Sequence, residues 1–335
     1  MIHRTATPCQ TPAWQSLQAG AISSLDDLLS YLELDPGTSS FSRRADSEFS
    51  LRVPRPYADL MERGNPRDPL LLQVLPVLAE SLSATWFVED PVSDLEMEPV
   101  SGLIKKYHGR ALLITTGACA VHCRYCFRRH FPYNRSIGTK RHREASLAYI
   151  RTHPGITEII LSGGDPLSLP DRELASLTSA LETIPHVKRL RIHTRTPVVI
   201  PQRICPDLIG WAAGTRLDLI IVLHANHPRE ITPRLGRGLA ELLDPRVTLL
   251  NQSVLLKGVN DRVETLTALS ETLFAAGVLP YYLHLLDPVR GAAHFRVPDD
   301  DARDLYRCLR ERLPGYLVPT LVRETAGAPF KTPVF

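Results

Sequence analysis

From about residue 100 onward the chain repeats one pattern. Continuous apolar, β-branched runs at 111–116, 158–162, 189–194, 218–224, 248–255 and 279–285 predict strands. The segments between them, among them 173–181, 235–243 and 263–273, carry the 3–4 residue apolar spacing of helices. After the first pair the strands recur roughly every thirty residues, about the length of one β-α unit. Continuous rather than alternating apolar strands indicate a parallel sheet covered on its outer face. Six such units are too few to close an eight-unit barrel, so the α/β pattern predicts a partial (β/α)6 TIM-type barrel over 98–335. A last extended run is expected at 316–322.

Residues 1–97 read differently, as a helical region packing on the barrel. Ser24 to Leu32 has helical spacing, with Ser23 or Ser24 as cap and Asp26 and Asp27 favourable in the first turn. Pro36-Gly37 ends it, 49–56 looks extended, and 70–75 predicts a buried helix ended or kinked by Pro76. The region holds many prolines and no cluster of catalytic character.

Composition changes this picture little. Apolar residues at 44% and charged residues at 22% fit a globular chain with a large core, and a net charge of +3 gives no global pull toward nucleic acid or membrane. No apolar run approaches the ~18–20 residues of a membrane span. Met1 to Ala6 lacks the apolar core of a secretory signal. Arginine clusters locally at 124, 128, 129 and 135, which would suit anionic groups. Six cysteines in 335 residues do not make a disulfide framework. Cys9, Cys205 and Cys308 read as ordinary thiols, and cytoplasmic conditions are the expected setting for the rest.

The remaining three, Cys119, Cys123 and Cys126, follow the first strand as C-x3-C-x2-C. Three thiolates on one loop can hold three irons of a cubane cluster and leave one iron open for chemistry. A zinc knuckle completed by His122 or His130, or unliganded thiols, are the other readings of this spacing. Ligands of parallel α/β sheets bind beyond the carboxyl ends of the strands, so the residues there are the next test. Ser162-Gly163-Gly164-Asp165 follows the second strand, Thr194-Arg195-Thr196 the third and His224-Ala225-Asn226-His227 the fourth. The fifth carries Asn251-Gln252-Ser253, and Asp287, Arg290 and His294 follow the sixth. Polar residues after all six strands favour one shared site.

The cysteine loop and the Gly-Gly-Asp-Pro turn one strand later match the radical S-adenosylmethionine (radical SAM) pattern. Further islands are Arg195 to Arg203, His224 to Pro228, Asn251 to Asn260, Gly291 to Phe295 and Lys331-Thr-Pro333. In that order they make the chain similar to the lysine 2,3-aminomutase family, and most similar to its branch that makes β-lysine for modifying elongation factor P. The resemblance covers roughly residues 100–335 and more weakly the N-terminal region. It implies a radical SAM barrel with a [4Fe–4S] cluster, S-adenosylmethionine and pyridoxal 5′-phosphate as cofactors, and an electron donor. L-lysine would be the substrate, with a functional link to an elongation factor P lysine ligase.

The resemblance also implies roles. Cys119, Cys123 and Cys126 would hold the cluster, and Ser162, Gly163, Gly164 and Asp165 the methionine moiety. His224 and Gln252 would contact the rest of S-adenosylmethionine, although a satisfied core polar residue reads equally well at either position. Lys331, a plain tail lysine by itself, would form the aldimine with pyridoxal phosphate, with Tyr107 and Arg110 near its phosphate. Arg128 would take the substrate α-carboxylate, and Asp287 and Glu324 the distal ammonium. Glu324 stands where free-standing lysine aminomutases carry aspartate. Those enzymes also have a cysteine-bearing extension that binds zinc; with no cysteine after Cys308, that zinc site is not expected here. Within the enzyme class, a mutase for arginine, ornithine or glutamate is the alternative. Outside it, a non-catalytic iron–sulfur or electron-transfer protein would need neither Lys331 nor a substrate clamp.

Overall fold

The computed structural model describes residues 13–37, 40–82, 84–136 and 140–335. Cys9 and the Met1 to Ala6 segment lie outside the described residues, as does the side chain of Arg135. One nine-stranded sheet runs in strict chain order. Its strands are β1 (Leu103–Ile104), β2 (Arg110–Thr116), β3 (Glu158–Gly163), β4 (Arg189–Thr194), β5 (Asp218–Leu223), β6 (Val247–Val254), β7 (Leu279–His284), β8 (Thr320–Arg323) and β9 (Thr332–Pro333). The six strands read from the sequence are present, each within one residue of its expected bounds. Neighbours from β2 to β8 are parallel. The sheet stays an open partial barrel with β1 and β9 antiparallel at its two edges. The last extended run joins it as β8, beginning only at Thr320 because Gly315–Leu317 forms a helical turn.

Helices at Lys140–Arg151, Asp171–Glu182, Pro206–Gly214, Pro233–Glu241 and Val263–Ala275 return the chain between strands. Their apolar faces pack on the strands through Leu174, Leu177, Leu181, Leu208, Leu235, Leu239, Leu269 and Leu273, against Ile159, Leu161, Ile192, Leu219 and Ile221. Burying a Leu or Ile side chain contributes about 1.5–3 kcal/mol, so this layer fixes the register of the strand ends.

In the N-terminal region the expected helix is Leu25–Tyr31, with Ser24 as the cap. Val53 pairs with Ile22, but Pro54 starts a helical turn at Arg55–Ala58 instead of continuing the extended run. The helix expected at 70–75 is one turn, Pro69–Leu72, capped by Asp68, and it ends well before Pro76. Its next carbonyl, that of Gln73, accepts the N–H of Arg124 from the cysteine loop at 2.9 Å, which diverts the backbone from helical pairing. Trp14, Leu28, Leu51, Leu70 and Leu71 share one core with Ala120, Val121, Val199 and Ile200 of the barrel loops. The N-terminal region is thereby seated against the cysteine loop.

Candidate active site

Beyond the carboxyl ends of the strands lies a cavity of ≈ 280 Å³. All fifteen site residues named from the sequence line it: Tyr107, Arg110, Cys119, Cys123, Cys126, Arg128, Ser162, Gly163, Gly164, Asp165, His224, Gln252, Asp287, Glu324 and Lys331. Residues more than two hundred positions apart meet there because strands of one sheet carry them to it, most near the carboxyl ends and Tyr107 and Arg110 at the amino end of β2.

The cysteine loop and the glycine turn fit each other without slack. The N–H of Gly164 donates to the Thr116 carbonyl at 2.7 Å, and that of Asp165 to the Ala118 carbonyl at 2.8 Å. A Cβ on Gly164 would lie 2.4 Å from the Ala118 oxygen, and one on Gly163, at φ +114°, 2.7 Å from that of Thr116. Only glycine permits that approach. Asp165 braces the turn: Oδ1 accepts from Leu167 N (3.0 Å) and Thr194 Oγ1 (2.7 Å), and Oδ2 from the N–H groups of Arg195 (2.7 Å) and Thr196 (2.8 Å). Gly164→Ala is expected to push the Cys119 segment away. Iron bound per chain after anaerobic reconstitution should fall severalfold while the melting temperature drops only modestly; unchanged iron loading would contradict the fit.

The three thiols are free and open onto the cavity. Burial, then the neighbouring Cys123, pushes the Cys126 thiol up to about 11; burial and then Asp165 push Cys119 well above its ordinary value. Such thiols become thiolates when a cationic group binds them. Among the described residues no three His, Cys, Asp or Glu converge as ligands of one ion. Ligands shared out over several irons of one cluster need no such convergence. The donor set therefore fits a cluster. Arg195 Nη1 lies 2.9 Å from Cys123 Sγ, while its Nη2 donates to Glu230 Oε1 (2.7 Å), Gln73 Oε1 (2.8 Å) and Tyr57 Oη (3.0 Å). Tyr125 Oη lies 2.9 Å from His224 Nε2, and burial followed by the Arg195 charge pushes His224 down to about 3. A neutral imidazole faces the cavity there.

The polar strand ends divide into two groups. Asn226, Asn251 and Ser253 turn away from the cavity and tie loops together. Asn251 Oδ1 accepts from Ala225 N at 2.9 Å, Ser253 Oγ donates to the Ala225 carbonyl at 2.8 Å, and Asn226 Nδ2 donates to Gln73 Oε1 at 3.0 Å. Of the basic cluster, Arg124 is fully buried on Glu80 Oε2 (2.7 Å) and Arg129 donates to the same oxygen at 2.9 Å; Arg128 alone of these three lines the cavity. The first two are ties to the N-terminal region, not anion sites.

At the opposite wall the β8–β9 hairpin presents Lys331. Arg323 pairs with Thr332 and Val322 with Pro333, which sets Lys331 Nζ 2.5 Å from Glu324 Oε2. Glu324 Oε1 accepts from Tyr107 Oη at 2.6 Å and lies 3.7 Å from Lys106 Nζ. Burial raises the Glu324 carboxyl, yet Lys331 and its other donors outweigh that and hold it below the usual range. Asp287 lies beside them, half-buried, with its Oδ1 enclosed and unpartnered. Burial, resisted by Lys331 and reinforced by Glu324, pushes its carboxyl up to about 7. Arg191 Nε and His193 Nε2 are also buried in this wall without partners, and the Arg110 guanidinium lies over the Tyr107 ring at 4.8 Å. Orphaned donors beside an accessible lysine suit a polar, anionic prosthetic group such as pyridoxal phosphate. Between the two walls Arg128 Nε donates to Asp94 Oδ2 at 2.8 Å and Nη1 to Ser162 Oγ at 2.9 Å. Asp94, Lys106, Arg191 and His193 carry no motif in the sequence, and Arg195 lies in a visible motif that assigns it no role at the site.

Residues 113–213 match the model of the radical SAM superfamily. The L-lysine 2,3-aminomutase of Escherichia coli (strain K12) is 50% identical over 322 residues, covering 96% of this chain and 94% of that protein. The L-lysine 2,3-aminomutase of Clostridium subterminale is 35% identical over 322 residues, covering 96% of this chain and 77% of that longer protein. A solved radical SAM methyltransferase from Sphaerobacter thermophilus is 20% identical at a TM-score of 0.45, covering 66% of this chain and 68% of its own. With its cysteine loop, glycine turn and tail lysine gathered on one cavity, and half its residues shared with the Escherichia coli protein along nearly its whole length, the chain belongs to the lysine 2,3-aminomutase family of radical SAM enzymes.

Proposed function

We propose that this isomerase moves the amino group of L-α-lysine to C3, giving (R)-β-lysine, and that the product serves to modify elongation factor P in the cytoplasm. The observation that carries the substrate assignment is Asp287, a half-buried residue lining the cavity beside Glu324, with its Oδ1 enclosed and unpartnered. A buried acid of this kind is stabilised by an incoming cation, and the distal ammonium of lysine supplies one. Glutamate would bring a second anion to the same acids. Arg128, buried two residues past Cys126, supplies a guanidinium for the α-carboxylate, and arginine binds carboxylates through two parallel N–H groups.

The cofactors of the family are a [4Fe–4S] cluster, S-adenosylmethionine and pyridoxal phosphate. Bound, they supply a hydrogen-abstracting carbon radical and a π-system through which an amino group can migrate. The chain's own residues do the rest. Cys119, Cys123 and Cys126 are the cluster ligands; Ser162, Gly163 and Gly164 line the methionine pocket, with Asp165 holding that turn in place. His224 and Gln252, which line the same cavity, would contact the adenosyl part. Lys331 would carry the pyridoxal group, with Tyr107 and Arg110 as the residues for its phosphate. Arg128 on one side and Asp287 with Glu324 on the other hold lysine at two points, which fixes C3 against the radical source and keeps water out. No helix among the described residues is long and apolar enough to cross a membrane.

The test is anaerobic reconstitution, then incubation with S-adenosylmethionine, a reductant and lysine, arginine, ornithine or glutamate in separate reactions. β-Lysine as the dominant product supports the assignment, and a β-isomer from another amino acid at higher kcat/KM overturns it. Adding an elongation factor P lysine ligase and its target to the lysine reaction should increase the target's mass by one lysyl unit. Equal labelling in reactions lacking the aminomutase would remove the elongation factor P link.

A further inference from the structure

The residue that aims Arg128 lies outside the barrel, in the proline-rich N-terminal region. Asp94 is 3% exposed and lines the cavity. Its Oδ2 accepts from Arg128 Nε at 2.8 Å and its Oδ1 pairs with Lys106 Nζ at 2.7 Å. Its own position is fixed by Asp90, whose carboxylate accepts the N–H groups of Asp94 (3.0 Å) and Leu95 (3.1 Å). Lys106 is anchored in turn on the Val92 carbonyl at 2.5 Å. Arg128 is further held by Ser162 Oγ at 2.9 Å and by the Phe127 ring, 4.6 Å from its guanidinium carbon. These contacts take up two of the five guanidinium donors and leave the others for a ligand.

We propose that Asp94 is a positioning residue: it grips Arg128 by Nε so that the free guanidinium donors meet the substrate α-carboxylate, and so selects amino acids over plain amines. This rests on the reading of Arg128 as the carboxylate clamp. An arginine loses much rotamer freedom when it is fixed, and a clamp held before binding does not lose it again when substrate arrives. Coulomb's law alone gives the opposite sign. Asp94 is an anion near the site of an incoming carboxylate, so its removal would tighten carboxylate binding if charge were all that mattered.

The test compares lysine with its decarboxylated analogue 1,5-diaminopentane on pyridoxal-loaded holoenzyme, followed by the pyridoxal absorbance change. In Asp94→Asn, lysine affinity is expected to fall roughly 10- to 100-fold, the range set by one lost charge-assisted hydrogen bond. Diaminopentane affinity, iron content and pyridoxal content should stay as in the unmodified enzyme. KM for lysine should rise by more than kcat falls, and Asp94→Glu should restore most of the loss. Unchanged or tighter lysine binding in Asp94→Asn overturns the proposal, as does equal loss of both ligands. Arg128→Gln separates the two readings. If it leaves the preference for lysine intact, the clamp reading itself fails; if it abolishes the preference and Asp94→Asn does not, only the role of Asp94 fails.

Discussion

Replacing Lys331 with alanine is expected to reduce β-lysine formation by at least about 10⁴-fold, the scale of losing an essential covalent group. The enzyme should no longer retain pyridoxal phosphate through gel filtration, and its absorbance near the visible edge should disappear. Iron content and reductive cleavage of S-adenosylmethionine should persist, because Lys331 makes no hydrogen bond to the cysteine loop among the contacts described. Lys331 sits on a two-strand hairpin beyond the last helix, and its Nζ bonds only to Glu324 among the contacts described. Its removal therefore disturbs little of the core. Loss of iron together with pyridoxal would mean that the hairpin supports the cluster loop, which contradicts the division of labour given above.

The second large effect concerns Asp287, where function and stability are expected to move in opposite directions. Asp287→Asn removes the anion proposed to meet the substrate ammonium, and kcat/KM for lysine should fall by at least about 10², the usual outcome of breaking a buried charge pair. The same change should stabilise the ligand-free protein. Burial, first among the causes, pushes its carboxyl in the fold up to about 7 from the ordinary carboxylate range. A raised carboxyl favours folding only where it stays protonated. That contribution is full below about pH 4 and is lost as pH climbs through about 7. Each pK unit corresponds to about 1.4 kcal/mol, so at pH 8 the ionised, buried Asp287 weakens the ligand-free fold by a few kcal/mol on the order-of-magnitude scale. Denaturant melts of the ligand-free forms at pH 5 and pH 8 check the sign. The asparagine variant should gain over the parent chiefly at pH 8, and a larger gain at pH 5 would contradict the burial account.

The barrel was legible because parallel strands covered on one face must be nearly continuous apolar runs, and 158–162 or 218–223 admit little else. The cysteine loop and the glycine turn were legible for the same local reason: thiol spacing and close backbone approach leave marks within ten residues. Lys331 was different. Nothing around it distinguishes a prosthetic-group lysine from a solvated tail residue except resemblance, and its placement depends on β8 pairing with β7 and β9 pairing back on β8. Asp94 left no mark either. It sits in an aperiodic stretch rich in prolines and acids, and its meaning comes from Arg128 and Lys106 arriving at its two oxygens. Arg195 illustrates the reverse case. The Arg-Thr-Pro motif was visible, but its link through Tyr57 and Glu230 to the N-terminal region, and through Nη1 to Cys123, exists only in three dimensions.

Radical generation at the cysteine loop and amino-group handling at Lys331 are expected to act on one lysine held across a single cavity. The most direct measurement uses lysine deuterated at C3 with reconstituted enzyme, S-adenosylmethionine and reductant. Deuterium should appear at the 5′ position of the adenosyl group and in the β-lysine formed, and Lys331→Ala should eliminate both while reductive cleavage continues. β-Lysine formed without any deuterium reaching the adenosyl group, or deuterium transfer undiminished in Lys331→Ala, would contradict a shared site.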